Sequence, residues 1–473
     1  MFFSTGLFIF LYLPGFLLLY HALPFRFRSL CILIASWIFY AWWRVDYLAL
    51  LVATTSVTWL LGRWIASELG MRKNRARSVL AAGVSFNLGI LAYFKYTNFG
   101  LDSLNALLST LGANMIPALN VILPIGISFY VFKATSYLID VYRWDVPAAE
   151  SYLELAAYIA LFPQLIAGPI DRYRNLAPQF RQMAHTLGYF SAGALRFMSG
   201  FCKKVLIADT IAPLADSIFA LDRPTFVDAW LGAGAYTMQL YFDFSGYTDM
   251  AIGLGLMMGF RFMENFREPY LATSITDFWK RWHISLSSWF RDYLYIPLGG
   301  NRQGPRRTYV NLMAVMVLCG LWHGPAWTFV VWGAWHGILL AFERHRSAAR
   351  QKQAVPQPVA IVGTMLLVMI GWVVFRASSL PGAVRMYAGM LGLHGFGISS
   401  ELRWRFDTLA ALILGFAFVV VYLGPWVSRR VKDRYQRWQR VTAGARLVVL
   451  PLFLISILKI LADSSQAFLY ARF

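Results

Sequence analysis

Charged residues are scarce in this 473-residue chain, at 14% of the sequence, whereas soluble domains carry about 25%. Hydrophobic residues make up 58% of it. This balance excludes an ordinary soluble protein and predicts an all-α, polytopic integral membrane protein. No polar linker long enough to separate folded units interrupts the apolar segments. We therefore expect residues 1–473 to form a single membrane-embedded domain.

Cysteine is rare as well, with only Cys31, Cys202 and Cys319, all in apolar surroundings. Their odd number and scattered positions argue against a disulfide framework or a metal site. The chain also lacks Cys-x-x-Cys, His-Glu-x-x-His, Gly-x-Ser-x-Gly and a phosphate-binding loop ending in Gly-Lys-Ser or Gly-Lys-Thr. We therefore expect no metal and no permanently bound cofactor, which leaves histidine as the candidate catalytic group.

Acidic residues are fewer than basic ones, 23 against 43, which gives a net charge of +20. We do not ascribe this excess to nucleic-acid binding, because the basic residues cluster in short loops where they set topology and contact membrane lipid. Loops at residues 26–28, 72–77 and 429–440 are predicted to be cytoplasmic. Residues 97–116 lack Lys and Arg and are predicted to form a loop outside. Between residues 140 and 300 we expect re-entrant or broken helices.

One histidine, His323, lies inside the apolar run of residues 309–342. Basic residues flank both ends of the run, at 302–307 and 344–352, so both ends are predicted to be cytoplasmic and the run must turn back. Gly324-Pro325 is the predicted reversal point. An ionisable group at membrane depth is by default a functional-site hypothesis, and a neutral imidazole can act as a general base. The alternative is a histidine that only bridges helices.

Two further histidines are candidates. His283 lies in the stretch Ser274 to Phe290, which opens with a capping-box pattern and is rich in tryptophan and basic residues, so we predict one helix in the membrane interface. Its histidine could be merely a polar tip of that helix. His336 repeats the Trp-His-Gly triplet of His323, and the pattern alone does not rank it lower.

Two acids also stand inside an apolar run, Asp243 and Asp249. They could orient a histidine, or pair with Lys203, Lys204 or Arg281 as a buried polar clasp between helices. We favour the clasp.

The chain resembles the membrane-bound O-acyltransferase superfamily through a series of motifs. They include Phe-Tyr-Ala-Trp-Trp at 39–43, Leu-Pro-Ile-Gly-Ile-Ser-Phe-Tyr at 123–130, Ala-Gly-Pro at 167–169, Tyr-Phe-Asp-Phe-Ser-Gly-Tyr at 241–247, Phe-Trp-Lys-Arg-Trp-His at 278–283, Arg-Asp-Tyr-Leu-Tyr at 291–295 and Gly-Leu-Trp-His-Gly at 320–324. The likeness covers most of residues 1–345 and fades in the C-terminal part. It implies a ring of tilted, re-entrant and transmembrane helices around a thinned centre, with a tunnel joining the two faces.

The resemblance also implies the reaction, transfer of an acetyl group from a cytoplasmic thioester donor, expected to be acetyl-CoA, for O-acetylation of an exopolysaccharide. Alginate is the first expectation for the polymer, bacterial cellulose the second, and D-alanylation of teichoic acid a more distant alternative. The implied location is the bacterial inner membrane. The implied partners are a periplasmic acetyltransferase or another acetyl-accepting protein, and a polysaccharide biosynthesis and export complex.

Carried over by motif, His323 takes the position of the family's essential histidine and His283 that of its second histidine. We expect His323 to be the general base, and His283 to hold the acyl carrier or donate a hydrogen bond to the developing oxyanion. Contacts with donor and substrate are predicted for Trp282, Ser285, Arg291, Trp322, Arg302 and Arg306. Structural or orienting roles are predicted for Asp243, Asp249 and His336.

Two rival classes remain open. A transporter or channel would also contain broken helices and buried charges, but it predicts corresponding discontinuities in two halves of the chain. A non-catalytic scaffold for polymer export would leave both histidines dispensable.

Overall fold

Helices make up nearly all the regular structure of this protein, and no residue that the structure describes lies in a β-strand. The structure is a computed structural model, and it describes residues 2–183, 185–348, 355–434 and 438–462. The first half contains α1 (Leu13–Ala22), α2 (Phe25–Ala41), α3 (Val45–Leu69), α4 (Lys73–Thr110), α5 (Ile127–Tyr142), α6 (Tyr152–Ala160), α7 (Phe162–Leu165), α8 (Tyr173–Arg181), α9 (Leu187–Cys202) and α10 (Asp209–Phe219).

The second half contains α11 (Phe226–Met257), α12 (Ile275–Arg281), α13 (Ile284–Phe290), α14 (Gly304–His323), α15 (Trp327–Ala348), α16 (Gln357–Arg376), α17 (Leu380–Met390), α18 (Ser400–Arg405), α19 (Thr408–Arg434) and α20 (Trp438–Ala462). Wider π-helical turns occur at Phe8–Tyr12, Lys203–Ala208 and Arg291–Tyr295, and a 3-10 turn at Pro269–Leu271. The predicted all-α class is confirmed.

Four helices in the described ranges are long and apolar enough to cross a membrane. They are α3, α4, α16 and the part of α19 from Thr408 to Val427. One boundary prediction is wrong: residues 97–116 do not form a loop throughout, because α4 continues to Thr110. The physical reason is that residues 97–110 contain four leucines and no proline, so nothing ends the helix there.

Packing density divides the chain into two units. The first comprises Met1–Phe197 and Met250–Met263, and the second Met198–Asp249 and Glu264–Phe473. This division does not test the single membrane-embedded domain, which stays a prediction, because units of dense packing are not independently folding domains.

Close helix approaches hold the first unit together. A Cβ atom on Gly62 of α3 would lie 2.6 Å from the ring of Tyr137 on α5, and one on Gly83 of α4 would lie 2.7 Å from Leu138. Gly126, which precedes α5, has φ of 76° and faces the carbonyl oxygen of Leu165, 2.4 Å from the position of a Cβ. The small residues therefore let the short buried helix α5 lie directly against its neighbours.

The second unit contains the hairpin that positions His323. Helix α14 ends at this residue, Gly324 is extended with φ of −162° and ψ of 153°, and α15 begins at Trp327. The predicted reversal is confirmed. A Cβ on Gly320 would lie 2.1 Å from the carbonyl oxygen of Phe329, and one on Gly333 would lie 2.4 Å from that of Met316. The two helices therefore pack backbone against backbone.

Replacing Gly320 with alanine is expected to force α14 and α15 apart, because the new methyl group meets backbone that cannot rotate away. We expect a loss of about 1–3 kcal/mol in stability, the usual cost of overpacking. The measurement is the thermal unfolding midpoint of the detergent-purified protein. Gly363→Ala on exposed α16 is the matched control, because its Cβ meets nothing within 4 Å. Equal midpoints for the two variants would contradict close packing of the hairpin.

Candidate active site

His323 lies in a pocket of aromatic rings at the end of α14. Only 5% of its surface is exposed. The centre of its ring lies 5.0 Å from that of Trp322, 5.1 Å from that of Trp332 and 5.3 Å from that of Phe375. The imidazole is therefore held in one orientation by flat, apolar neighbours, with little water around it.

His283 lies at a break in the chain, where one helix was predicted. The stretch from Ser274 to Phe290 forms two short helices, α12 and α13, because the backbone of His283 adopts φ of 43° and ends the first helix. The prediction of one interfacial helix is therefore wrong. Its capping pattern is confirmed, since Ser274 Oγ accepts a 3.0 Å hydrogen bond from the backbone N–H of Asp277. The imidazole is wholly buried.

Asn265 holds His283 in place. Its Oδ1 atom accepts hydrogen bonds from the backbone N–H of Ser285 at 3.1 Å and from the Ser285 hydroxyl at 2.8 Å, and it lies 3.2 Å from His283 Nδ1. A backbone N–H can only donate, so this atom is an acceptor and Nδ1 must carry the proton. In the neutral imidazole the lone pair then belongs to Nε2. Nothing in the sequence pattern singled out Asn265, which lies in a polar loop.

Trp322 connects the two histidines. Its ring centre lies 6.0 Å from that of His283 and 5.0 Å from that of His323. The two predicted catalytic histidines thus contact the same indole, although 40 residues of sequence separate them. Trp322 itself is buried, so any donor contact it makes is with its edge or with one face.

His336 continues the same cluster on α15. Its ring centre lies 5.0 Å from that of Trp332, and its Nδ1 accepts a 3.4 Å hydrogen bond from Trp279 Nε1. The residue is completely buried, and a Cβ at Gly371 of α16 would approach its Nε2 to 3.1 Å. This crowding on the α16 side is consistent with the structural role predicted for His336.

Trp282 and Ser285, predicted to contact the donor, are both deeply buried. Trp282 is 1% exposed, and its ring is stacked between Tyr270 and Phe278 with centre distances of 5.8 and 5.6 Å. The Ser285 hydroxyl is occupied by Asn265. Their donor role stays a prediction, while their observed contacts support the chain around His283.

Asp243 and Asp249 form ion pairs with neighbouring lysines. Lys204 Nζ lies 2.6 Å from Asp243 Oδ1, and the same ammonium group lies 2.6 Å from Asp209 Oδ1. Lys203 pairs with Asp249 at 2.5 Å. Lys204 and Asp243 are 2% and 3% exposed. The sequence pattern did not indicate Asp209, which reaches Lys204 through the π-helical turn between them. The pairs lie where the clasp interpretation places them.

A cavity of about 360 Å³ opens beside the histidine cluster. Its wall is apolar towards α14, with Met316 and Cys319, while Lys280 and Arg291 lie on its exposed side. It also adjoins Ile284, the residue after His283. Arg291 pairs with Asp292 at 2.8 Å. None of the three histidines lies among the described residues that line this cavity.

Arg302 and Arg306 are exposed and do not line the cavity. The loop before them is fastened to α14, because Asn311 Nδ2 donates hydrogen bonds to the carbonyl oxygens of Leu298 and Gly300 at 3.2 and 3.0 Å. A Cβ on Gly300 would lie 3.5 Å from the ring of Tyr295, which does line the cavity. The fastened loop therefore connects the cavity wall to the two arginines.

The chain matches known proteins over its whole length. Residues 146–375 match the membrane-bound O-acyltransferase family. The chain is 48% identical to the probable alginate O-acetylase AlgI of Azotobacter vinelandii and 49% to the protein of the same name in Pseudomonas putida, in both cases over 100% of each chain. It is 38% identical to the peptidoglycan O-acetyltransferase of Helicobacter pylori, over 100% of this chain and 97% of the relative. The three histidines lie inside the matched range.

Replacing Asn265 with alanine is expected to destabilise the protein, because the backbone N–H and hydroxyl of Ser285 and the Nδ1–H of His283 lose their common acceptor. Each buried donor without an acceptor costs about 1–3 kcal/mol. The thermal midpoint in detergent checks this. Asn105→Ala is the matched control: Asn105 makes two hydrogen bonds to Ile116, but in an exposed position where water replaces them. A control that loses as much stability would show that Asn265 has no special role.

Proposed function

Since the chain belongs to the membrane-bound O-acyltransferase family and is an O-acetyltransferase, we propose that it transfers acetyl groups from a thioester donor for O-acetylation of alginate. Two relatives that align over their full length are named alginate O-acetylases. The relative named for peptidoglycan is less similar, at 38% identity. Peptidoglycan is therefore the second candidate polymer. Bacterial cellulose, the other alternative, is named by none of these three relatives.

The single observation that carries the mechanism is the contact of His283 and His323 with one indole, that of Trp322. A hydroxyl attacks a thioester poorly unless a base takes its proton as the new bond forms. We assign this task to His323. The hydroxyl oxygen bonds to the acetyl carbon, His323 takes the hydroxyl proton, and the carbon–sulfur bond then breaks. The leaving thiolate takes the proton from His323, which returns the base to its neutral form.

The tautomer of His283 narrows its role. With Nδ1 committed to Asn265, the neutral ring offers a lone pair at Nε2 and no second donor. It can therefore accept a hydrogen bond from a hydroxyl or an amide N–H of a substrate, whereas donating to an oxyanion would require the imidazolium. Of the two roles expected from the sequence, we propose the one that holds the donor or acceptor group, since the tautomer supports it.

We propose that the donor is acetyl-CoA and that it reaches the site through the cavity beside α14. Its anionic head would contact Lys280 and Arg291 on the exposed side, with Arg302 and Arg306 further along the fastened loop. The apolar wall suits the uncharged arm of a thioester. The proposal includes the tunnel implied by the family resemblance, a place in the bacterial inner membrane, and transfer to a periplasmic partner protein or to the polymer.

His323→Gln is expected to reduce acetylation by about 10²–10⁴, the usual contribution of a general base, because glutamine fills similar space but does not take a proton at neutral pH. The measurement is the acetyl content of alginate from a producing strain whose own gene is replaced by the variant. His345→Gln is the matched control, since His345 is exposed at the end of α15. Abundance in the membrane is followed by immunoblot for both variants.

Normal acetyl content with His323→Gln at wild-type abundance would overturn the base assignment and favour a non-catalytic scaffold. Acetylated peptidoglycan with unacetylated alginate in the wild-type strain would keep the mechanism but change the polymer.

Arg291→Gln is expected to weaken binding of acetyl-CoA by about tenfold or more, because a hydrogen bond to a charged group contributes about 1.5–3 kcal/mol. The measurement is the dissociation constant of acetyl-CoA with the purified protein. Arg385→Gln on α17 is the control, since this exposed arginine does not line the cavity. Unchanged binding by Arg291→Gln, with weakened binding by Arg302→Glu and Arg306→Glu, would move the donor head to the start of α14.

A further inference from the structure

An apolar groove in the first unit is not used by the proposed reaction. It lies between α1 and α2 and has a volume of about 510 Å³. Its walls are formed by residues between Tyr12 and Ile38, and nearly all of the surface that faces the groove is carbon. Gly15 lies on the α1 side, where a Cβ would meet nothing within 4 Å. The groove is therefore open where a side chain could have filled it.

Large apolar side chains along the groove are exposed. Leu19 is 55% exposed, Ile34 46% and Ile38 51%. In a membrane protein such side chains face hydrocarbon, so an occupant with a hydrocarbon chain loses no favourable contact on entering.

Two arginines lie at one end of the groove, next to its lining. The guanidinium carbon of Arg26 lies 4.7 Å from the ring centre of Phe27, and Arg28 Nε donates a 3.3 Å hydrogen bond to the carbonyl oxygen of Leu23. Phe27 and Leu23 both line the groove. Residues 1–43 contain no Asp or Glu, and neither arginine forms a salt bridge with any residue in the described ranges. The positive charge at this end is therefore available to an anion.

The length of the groove matches one leaflet. From Phe27 to Ile38 the lining follows α2 for eleven residues, a rise of roughly 16 Å at about 1.5 Å per residue. Half of the hydrocarbon core of a bilayer is about 15 Å thick. A lipid chain that begins at the arginines would therefore end near Ile38, close to the middle of the membrane.

We propose that this groove binds an anionic phospholipid, with one acyl chain between α1 and α2 and the phosphate group held by Arg26 and Arg28. Guanidinium groups bind phosphate through paired, charge-assisted hydrogen bonds. A helix from a second copy of the chain would also cover the apolar walls, but it would leave the two cations without a partner. The charge at one end therefore selects the lipid.

The test is native mass spectrometry of the full chain in detergent, titrated with phosphatidylglycerol or phosphatidylcholine. We expect one retained phosphatidylglycerol that binds about tenfold or more tightly than phosphatidylcholine, since each basic residue near an anionic lipid contributes several-fold in affinity. Arg26→Gln with Arg28→Gln should abolish this preference. Gly15→Phe should block binding of both lipids by filling the groove.

Matched controls separate the groove from the rest of the surface. Arg72→Gln with Arg77→Gln removes the same charge from two exposed positions near the start of α4, and Gly89→Phe adds the same ring at an open position on α4. Both controls should retain phosphatidylglycerol as the wild type does. Equal binding of the two lipids by the wild type, or wild-type binding by both groove variants, would overturn the proposal. A dimer that only Gly15→Phe dissociates would assign the groove to a second copy.

Discussion

The backbone contact between α14 and α15 determines the geometry of the whole histidine cluster. With no side chain at Gly320 or Gly333, the two helices approach closely enough for Trp332 of α15 to lie against His323 of α14. His336, one helical turn after Trp332, contacts the other side of that indole. A larger residue at either glycine would separate the imidazole from the ring that orients it. The catalytic proposal therefore depends first on packing.

Polar groups inside this apolar protein are used to fix backbone that helices cannot cover. Asn265 is the clearest example, because one amide oxygen accepts from Ser285 and His283 and so stabilises the break between α12 and α13. The ammonium group of Lys204 acts in the same way between Asp209 and Asp243, across a π-helical turn. Breaking such buried arrangements leaves an uncompensated polar group, which is more costly than never having built them. Irregular backbone is thus confined to places with a dedicated partner.

Much of the fold and part of the site could be predicted from the sequence. The all-α class followed from hydropathy, and the reversal at Gly324-Pro325 followed from the chemistry of glycine and proline. The break at His283 could not be predicted, because the stretch from Ser274 to Phe290 has the composition of one amphipathic helix and its left-handed histidine is imposed by Asn265. The end of α4 was misplaced because charge patterning reports the sides of a membrane and not where a helix stops. Asn265 and Asp209 carry no local signal at all.

The surroundings of His323 also bear on the chemistry that the proposed reaction must avoid. Water is an alternative acceptor for a thioester, and a base that activates a hydroxyl would activate water equally well. Three aromatic rings leave only 5% of the imidazole exposed, so few water molecules can reach it at any time. A hydroxyl held by His283 and delivered along Trp322 would displace them. Exclusion of water by this packing is a way to favour transfer over hydrolysis, and it explains why a base with so little exposed surface suits an acyltransferase.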